Sequence, residues 1–318
     1  MSIKKSFLLI RAFFYIKSDQ LIKDTLKILL GSQNFGYVDL GATGGIEPRW
    51  QPTSEYLNYV GFEPDGRGMN SAKDNTFKDH VILDKVISNM VGKVKLKITQ
   101  DVGKTSILRP NTKFLTRFPN SHRFSVKEFL ELDSSTLDSL QIPHIDFIKM
   151  DIQGAELLAL KGATESLNKA LGVELEVSFS EIYCGQPLFG VINEHMVGAG
   201  FEFIDFINLR RWEREHLRDL GQCTFGDALY LRTPESVKGN RKHSDKYRQY
   251  ITILLLYKRF DLIWAYLEKN TQDSEQILQA IEMIAKIERR FLLRVKIHYL
   301  LDKCLTFFDR NFRSHLIY

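Results

Sequence analysis

The sequence predicts an α/β fold, a mostly parallel sheet covered on both faces by helices. Short apolar strand-like runs alternate with helical stretches along the first two thirds of the chain, the pattern of a wound sheet. Several of those runs end in an acid or a glycine, residues suited to the crevice beyond the carboxyl ends of parallel strands. At 318 residues the chain can hold one large domain with appendages. Its 44% apolar and 26% charged residues exclude disordered, collagen-like and disulfide-scaffold classes.

Residues 1–30 open with Lys4 and Lys5 and an apolar run, FLLIRAFFYI, over 7–16. Arg11 interrupts that run, no small-residue cleavage site follows, and ten residues are too few to span a bilayer. The segment reads as amphipathic helix, packed on the domain or lying on a membrane surface. After a break over 31–36, Tyr37–Gly41 reads as a buried strand entering a glycine turn, and Asn58–Glu63 as a second strand ending in an acid. Val81–Ile87 is the third. Lys93–Thr99 alternates polar and apolar, as a half-exposed edge or hairpin strand does.

Ile145–Asp151 is the next core strand, followed by a helix over 154–161 with Leu157, Leu160 and Leu167 at helical spacing. Gly172–Phe179, Phe201–Asp205 and Asp227–Arg232 complete the strands, with Arg210–His216 as a polar loop. Pro234–Ser244 reads as a linker and 245–318 as helical. The expected domains are an N-terminal amphipathic segment (1–30), a catalytic domain (31–235) and a basic all-helical extension (236–318).

Charge is uneven. Residues 236–318 carry 16 Lys and Arg against 9 Asp and Glu, while 1–235 carry 28 against 30. A basic appendage suits phosphates on lipid, nucleic acid or nucleotide-linked sugars, or simply a solvated face. Cys184, Cys223 and Cys304 form no CxxC, which argues for a reducing compartment and against a cysteine zinc site. No segment reaches transmembrane length, so the cytoplasm is expected, with peripheral membrane contact through the two ends of the chain.

The first strand runs into DLGATGG (39–45), where glycines permit close backbone approach to a ligand. Glu63 ends the second strand, where a carboxylate can accept both hydroxyls of a ribose. Asp151 ends the fourth strand, and Glu176 lies near the end of the fifth. A dinucleotide would want GxGxxG over a helix N-terminus. S-adenosylmethionine lacks phosphate and needs no such cradle, and Asp39 could hold its ammonium directly or through water.

The segment DFIKMDIQGAELLALKGA (146–163) resembles the signature of FkbM-type methyltransferases. So do VDLGATGG (38–45), GFEP (61–64), GKTSIL (103–108), EVSF (176–179), YCGQPLF (183–189) and GDALY (226–230), in order and spacing. The resemblance spans about 36–232, with Gln153 where many relatives carry Glu. It implies a Rossmann-like, seven-stranded sheet whose last strand is antiparallel, and S-adenosylmethionine-dependent transfer of a methyl to an oxygen of a sugar, glycan or other small hydroxylated acceptor, lipid-linked acceptors included. It also implies that Asp39, Gly41, Ala42 and Gly45 line the methionine end of the cofactor and Glu63 and Pro64 its ribose. Ser88 would neighbour the adenine, with Thr105 and Ser106 near the methyl.

The reaction needs an aligned hydroxyl and a base. Asp151, which also faces the cofactor, is the expected base. Glu176 and Glu156 are the further catalytic candidates. A plain capping role for Asp151 and a dipole-favoured structural role for Glu156 in the first turn of its helix are the structural readings beside these. A divalent ion on Asp151, Glu176 and Asp227 is the weaker expectation, and no dedicated metal site is assigned. His216 and Tyr183 could wall the acceptor pocket, and Arg210, Arg211 and Arg214 could meet an anionic acceptor. A nucleic-acid methyltransferase using the basic tail is one alternative; against it, DIQG stands where base N-methylation usually employs an N/D-P-P-Y/F loop. A non-catalytic membrane-surface or assembly module is the other alternative, and the C-terminal helices could support a homo-oligomer.

Overall fold

A computed structural model describes residues 20–31, 33–69, 77–215, 221–239, 246–267, 275, 277–287, 289 and 293. Among the described residues ten strands form: β1 (Phe35–Leu40), β2 (Leu57–Phe62), β3 (Asp79–Leu83), β4 (Val86–Ile87), β5 (Gly92–Thr99), β6 (Val126–Ser135), β7 (Phe147–Met150), β8 (Gly172–Ser178), β9 (Glu202–Trp212) and β10 (Gln222–Leu231). Seven of them make one sheet in the order β3-β2-β1-β7-β8-β10-β9. β1 pairs parallel with β2 and β7, as β2 does with β3 and β7 with β8. β10 runs antiparallel to both of its neighbours. The expected mostly parallel seven-stranded sheet is therefore present, and chain order reverses between β1 and β7, the place where such folds bind ligands.

Period-two alternation sorts the sheet's side chains. Val38, Leu40, Ile148, Met150, Val173, Leu175 and Val177 enter one apolar core with Leu157, Leu160, Ile192 and Met196. The intervening residues carry an aromatic stack: Tyr37 and Trp50 have ring centroids 4.8 Å apart, Trp50 and Phe147 4.7 Å, and Phe147 and Tyr257 5.6 Å. Asp39, Lys149 and Glu174 occupy the same alternate positions, so charged groups are buried beside those rings.

Three features of the sheets differ from the sequence reading. Val81–Ile87 is two strands, β3 in the large sheet and β4 in a separate three-stranded sheet of order β4-β6-β5. β6 was not anticipated, because VKEFLELDSS is largely exposed and carries no clear apolar face. β5 is an edge strand paired antiparallel with β6, as its alternation suggested. β9 continues to Trp212, so Arg210 and Arg211 lie in a strand, held by pairing with Phe225 and Cys223; His216 lies outside the described residues.

Pro234–Gly239, read as linker, is helical. The chain divides into Leu29–Tyr257 and a second unit of Met1–Ile28 with Lys258–Tyr318. Helix Tyr247–Leu256 thus belongs with the sheet rather than with an extension beginning at 236. Its Tyr250 hydroxyl donates to the Arg232 carbonyl at 2.6 Å, and Lys246 Nζ reaches Asp146 Oδ1 at 2.7 Å. The second unit includes the helix Phe260–Leu267, while the helix expected over 3–19 and the tail beyond 293 lie outside the described residues. Among the described residues no helix is long and apolar enough to cross a membrane.

Candidate active site

A cleft of about 830 Å³, measured to its open mouth, lies beyond the tips of β1, β2 and β7. Gly41 turns the chain at the first tip with φ 88°, and a Cβ there would stand 2.0 Å from the Asp151 carbonyl. Only glycine permits that approach. The turn is fixed by Gly41 and Ala42 N–H groups donating to the Phe62 carbonyl at 2.9 and 3.1 Å, and by Asp151 N–H donating to the Leu40 carbonyl at 2.8 Å.

Glu63 leaves β2 into the cleft, 4% exposed. One oxygen accepts from the Asp65 N–H at 2.9 Å, and the other from the Thr43 hydroxyl. Burial nonetheless pushes its carboxyl up, against those two donors. Each oxygen keeps lone-pair capacity for a ligand hydroxyl. Next to it, burial also penalises Asp65, but hydrogen bonds from Arg67 and Thr105 outweigh this and hold its carboxyl low. Arg67 donates to both Asp65 oxygens at 2.6–3.2 Å and to the Thr99 carbonyl at 3.1 Å, pinning the small sheet's loop to the second tip.

Across the cleft, Gln153 (φ 56°) and Gly154 (φ 94°) turn left-handed in succession. Gln153 Nε2 donates to Asp151 Oδ1 at 2.7 Å, and its Oε1 lies 2.8 Å from the Tyr183 hydroxyl. Asp151 lines the cleft with Oδ2 lacking a partner among the described residues. Ser106 Oγ donates to the Gln153 carbonyl at 2.8 Å, which ties the 102–107 loop to the Asp151 turn.

The profile of the FkbM methyltransferase domain matches residues 39–203, just over half of the chain. The chain belongs to the FkbM methyltransferase family. It carries an S-adenosylmethionine-dependent methyltransferase domain. Among solved structures, the FkbM methyltransferase of Methylobacillus flagellatus KT is similar at 18% identity and TM-score 0.36, over 63% of this chain and 45% of that one. This chain thus spans less than half the length of that relative. The magnesium protoporphyrin IX methyltransferase of Synechocystis PCC 6803, solved with bound S-adenosylmethionine, is 10% identical over 68% of this chain and 79% of its own, with TM-score 0.32. The Burkholderia thailandensis 1,6-didemethyltoxoflavin N1-methyltransferase is 10% identical over 73% and 91%, with TM-score 0.27. No curated protein matches the chain.

Of the positions expected around the cofactor, Gly41, Glu63, Pro64, Ser106 and Asp151 line the cleft of this FkbM domain, as does Thr105. Asp39, Ala42, Gly45 and Ser88 do not. Asp39 points to the other side of its strand, fully buried, where it accepts from the Tyr59 hydroxyl at 2.8 Å and faces Lys149 Nζ at 3.8 Å. Burial raises its carboxyl to about 6, against the pull of Lys149 and Tyr59. Burial disfavours the Lys149 ammonium, yet Asp39, Asp151, Glu47 and Glu174 together hold its pKa up. Ser88 is pinned to the small sheet by its N–H to the Ser135 carbonyl at 2.9 Å.

Glu156 accepts the Ile152 and Gly154 N–H groups at 3.0 and 3.2 Å. The structural role expected as its alternative is what the geometry displays, a carboxylate in the first helical turn reaching back over its own loop. Glu176 is buried on β8 beside Asp227 of β10, to which it is paired in register. Burial, then Asp151 and Glu156, push its carboxyl well up, against Lys104. Asp227 rises to about 6 from burial and from Asp151 and Glu174. Among the described residues no group of three His, Cys, Asp or Glu side chains is arranged to hold a metal ion, the Asp151, Glu176 and Asp227 set included. Tyr183 is buried, 1% exposed, so it supports the Gln153 turn rather than facing a pocket.

Sequence reasoning passed over Thr43, Arg67 and Lys149. The DGR run that follows GFEP could have flagged Arg67, since Asp and Arg two apart at a tight turn can pair.

Proposed function

We propose that this domain transfers a methyl group from S-adenosylmethionine to a hydroxyl of a sugar, glycan or other small hydroxylated acceptor, with Asp151 as the base. The observation that carries this is the Asp151 carboxylate at the cleft, one oxygen fixed by the Gln153 amide and the other uncommitted. The same cleft is lined by the Gly41 turn, packed against the Asp151 backbone, and by the buried Glu63, the set the resemblance assigns to the cofactor.

The residues present fit such a nucleoside. Gly41 lines the cleft with no side chain to fill it, its turn packed against the Asp151 carbonyl, and Glu63 offers a buried acceptor pair for ribose hydroxyls. When bound, S-adenosylmethionine supplies an electrophilic methyl on a sulfonium. The remaining work falls to the protein: Gly41 and Glu63 hold one partner, and Asp151 receives the proton of the attacking hydroxyl as the oxygen–carbon bond forms and the carbon–sulfur pair returns to sulfur. Gln153 keeps the Asp151 carboxylate in one orientation, and its amide adds no further negative charge to an already acidic corner.

Calorimetry with S-adenosylmethionine, followed by transfer of labelled methyl to a panel of sugars, tests the reading. Cofactor binding and a base-stable methyl ether are expected. Absence of binding, or label found only in base-labile esters or on nitrogen, would remove it.

A further inference from the structure

The loop that walls the cleft has a second face. Val102, Gly103, Thr105, Ser106 and Ile107 line the cleft, whereas Lys104 turns away and places its ammonium 5.8 Å from the Phe124 ring centroid and 5.9 Å from that of Phe225. These rings belong to a cluster around Trp212: Phe118, Phe124 and Phe225 meet the indole edge-on at 5.3, 5.9 and 5.9 Å. On this cluster opens a second hollow of about 780 Å³, lined by Phe118, Asn120, Ser121, Arg123, Arg211 and Trp212, with Glu213 at its wall.

Its chemistry is mixed. The Asn120 amide, the Ser121 hydroxyl and the Trp212 indole N–H have no hydrogen-bond partner among the described residues, whereas Arg123 is paired with Asp101 and Arg211 donates to the Gly221 carbonyl at 3.0 Å. Asn120 is held left-handed, φ 63°, at the hollow's rim. An anion site would concentrate free guanidinium groups and would not carry a carboxylate in its wall. Here, groups that donate and accept surround the half-buried Trp212 indole, with Phe118 and Phe124 buried beside it. That combination serves a ring with hydroxyls on its edge and C–H groups on its face.

We propose that this hollow is a saccharide subsite, holding a sugar unit of the acceptor beyond the one that is methylated. The inference rests on the hydroxylated-acceptor reading above and adds a location to it: the acceptor carries a sugar unit besides the one that is methylated. Asn120 and Ser121 bind hydroxyls, Trp212 carries the ring face and donates its N–H, and Arg211 closes the rim.

The test uses the full chain in saturation-transfer NMR with methyl glycosides of glucose, mannose and galactose, methyl glucuronide, and inorganic phosphate as probes. Asn120→Gly keeps the left-handed backbone and removes the amide. Combined with Arg211→Ala, it alters only exposed side chains, and Trp212→Phe keeps the ring while deleting the N–H. Transfer to at least one glycoside, weakened at least about fivefold in the double variant and in Trp212→Phe, is expected, since a lost hydrogen bond is worth about 1 kcal/mol. S-adenosylmethionine affinity should be unchanged in both. No transfer to any glycoside, equal transfer in the variants, or displacement by phosphate would overturn the subsite. Loss of cofactor binding by the unaltered protein would instead sink the methyltransferase reading, so the two failures are told apart.

Discussion

The buried acids in and around the cleft fall into two groups, one met by donors and one crowded together. At the β1–β2 tips each carboxylate is met by donors: Glu63 by Thr43 and the Asp65 N–H, Asp65 by Arg67 and Thr105. At the β7–β8–β10 tips Asp151, Glu176 and Asp227 crowd together with few donors, and burial with mutual repulsion raises the carboxyls of Glu176 and Asp227. The first group is built as a rigid holder. The second accepts unfavourable electrostatics, a signature that concentrates where protons must move.

Four substitutions probe that contrast. Gly41→Ala should have the largest effect. An alanine at φ 88° with its Cβ against the Asp151 carbonyl costs about 3 kcal/mol or more of stability, and thermal or denaturant unfolding measures it. A near-neutral result would show the holder to be pliable. Asp151→Asn comes next: activity should drop at least about 100-fold, about 2.7 kcal/mol, with cofactor binding near normal by calorimetry. Near-normal turnover would move the base elsewhere.

Glu63→Ala should weaken cofactor binding by about 1–3 kcal/mol, the worth of hydrogen bonds to a charged group. Unchanged affinity would take Glu63 out of the holder. Asp227→Asn should give the smallest change, and of opposite sign. Because the folded carboxyl titrates near 6 and the unfolded one near its ordinary value, the native state binds the extra proton between them. Wild-type stability therefore falls as pH rises from about 4 to about 7 through this group. The variant should be more stable by about 1–2 kcal/mol at pH 8 and lose that advantage by pH 4. A pH-independent difference would show that the crowding at these tips is not electrostatic.

Much of this was legible in the sequence because it is local. The glycine turn, Glu63 at a strand end and the Asp151–Gly154 run are each set within a few residues, so periodicity and turn chemistry find them. What sequence could not give depends on facing directions across long separations. Asp39 reads as a ligand-side acid but falls on the alternate side of β1, toward Tyr59 and Lys149. Ser88 follows a strand that departs the large sheet. Glu156 is turned inward by the left-handed Gln153–Gly154 pair, a conformation that a non-glycine residue seldom advertises. β6 escaped because its partners, β4 and β5, lie far behind it in the chain and its side chains carry no apolar face.

The small sheet is spliced into the chain between β3 and β7, and its ladders close among β4, β5 and β6 alone. No strand of the large sheet depends on it for pairing. Its Val86, Ile87 and Leu96 nonetheless line the cleft, so a change in this sheet alters the cleft's wall without breaking a ladder of the large one.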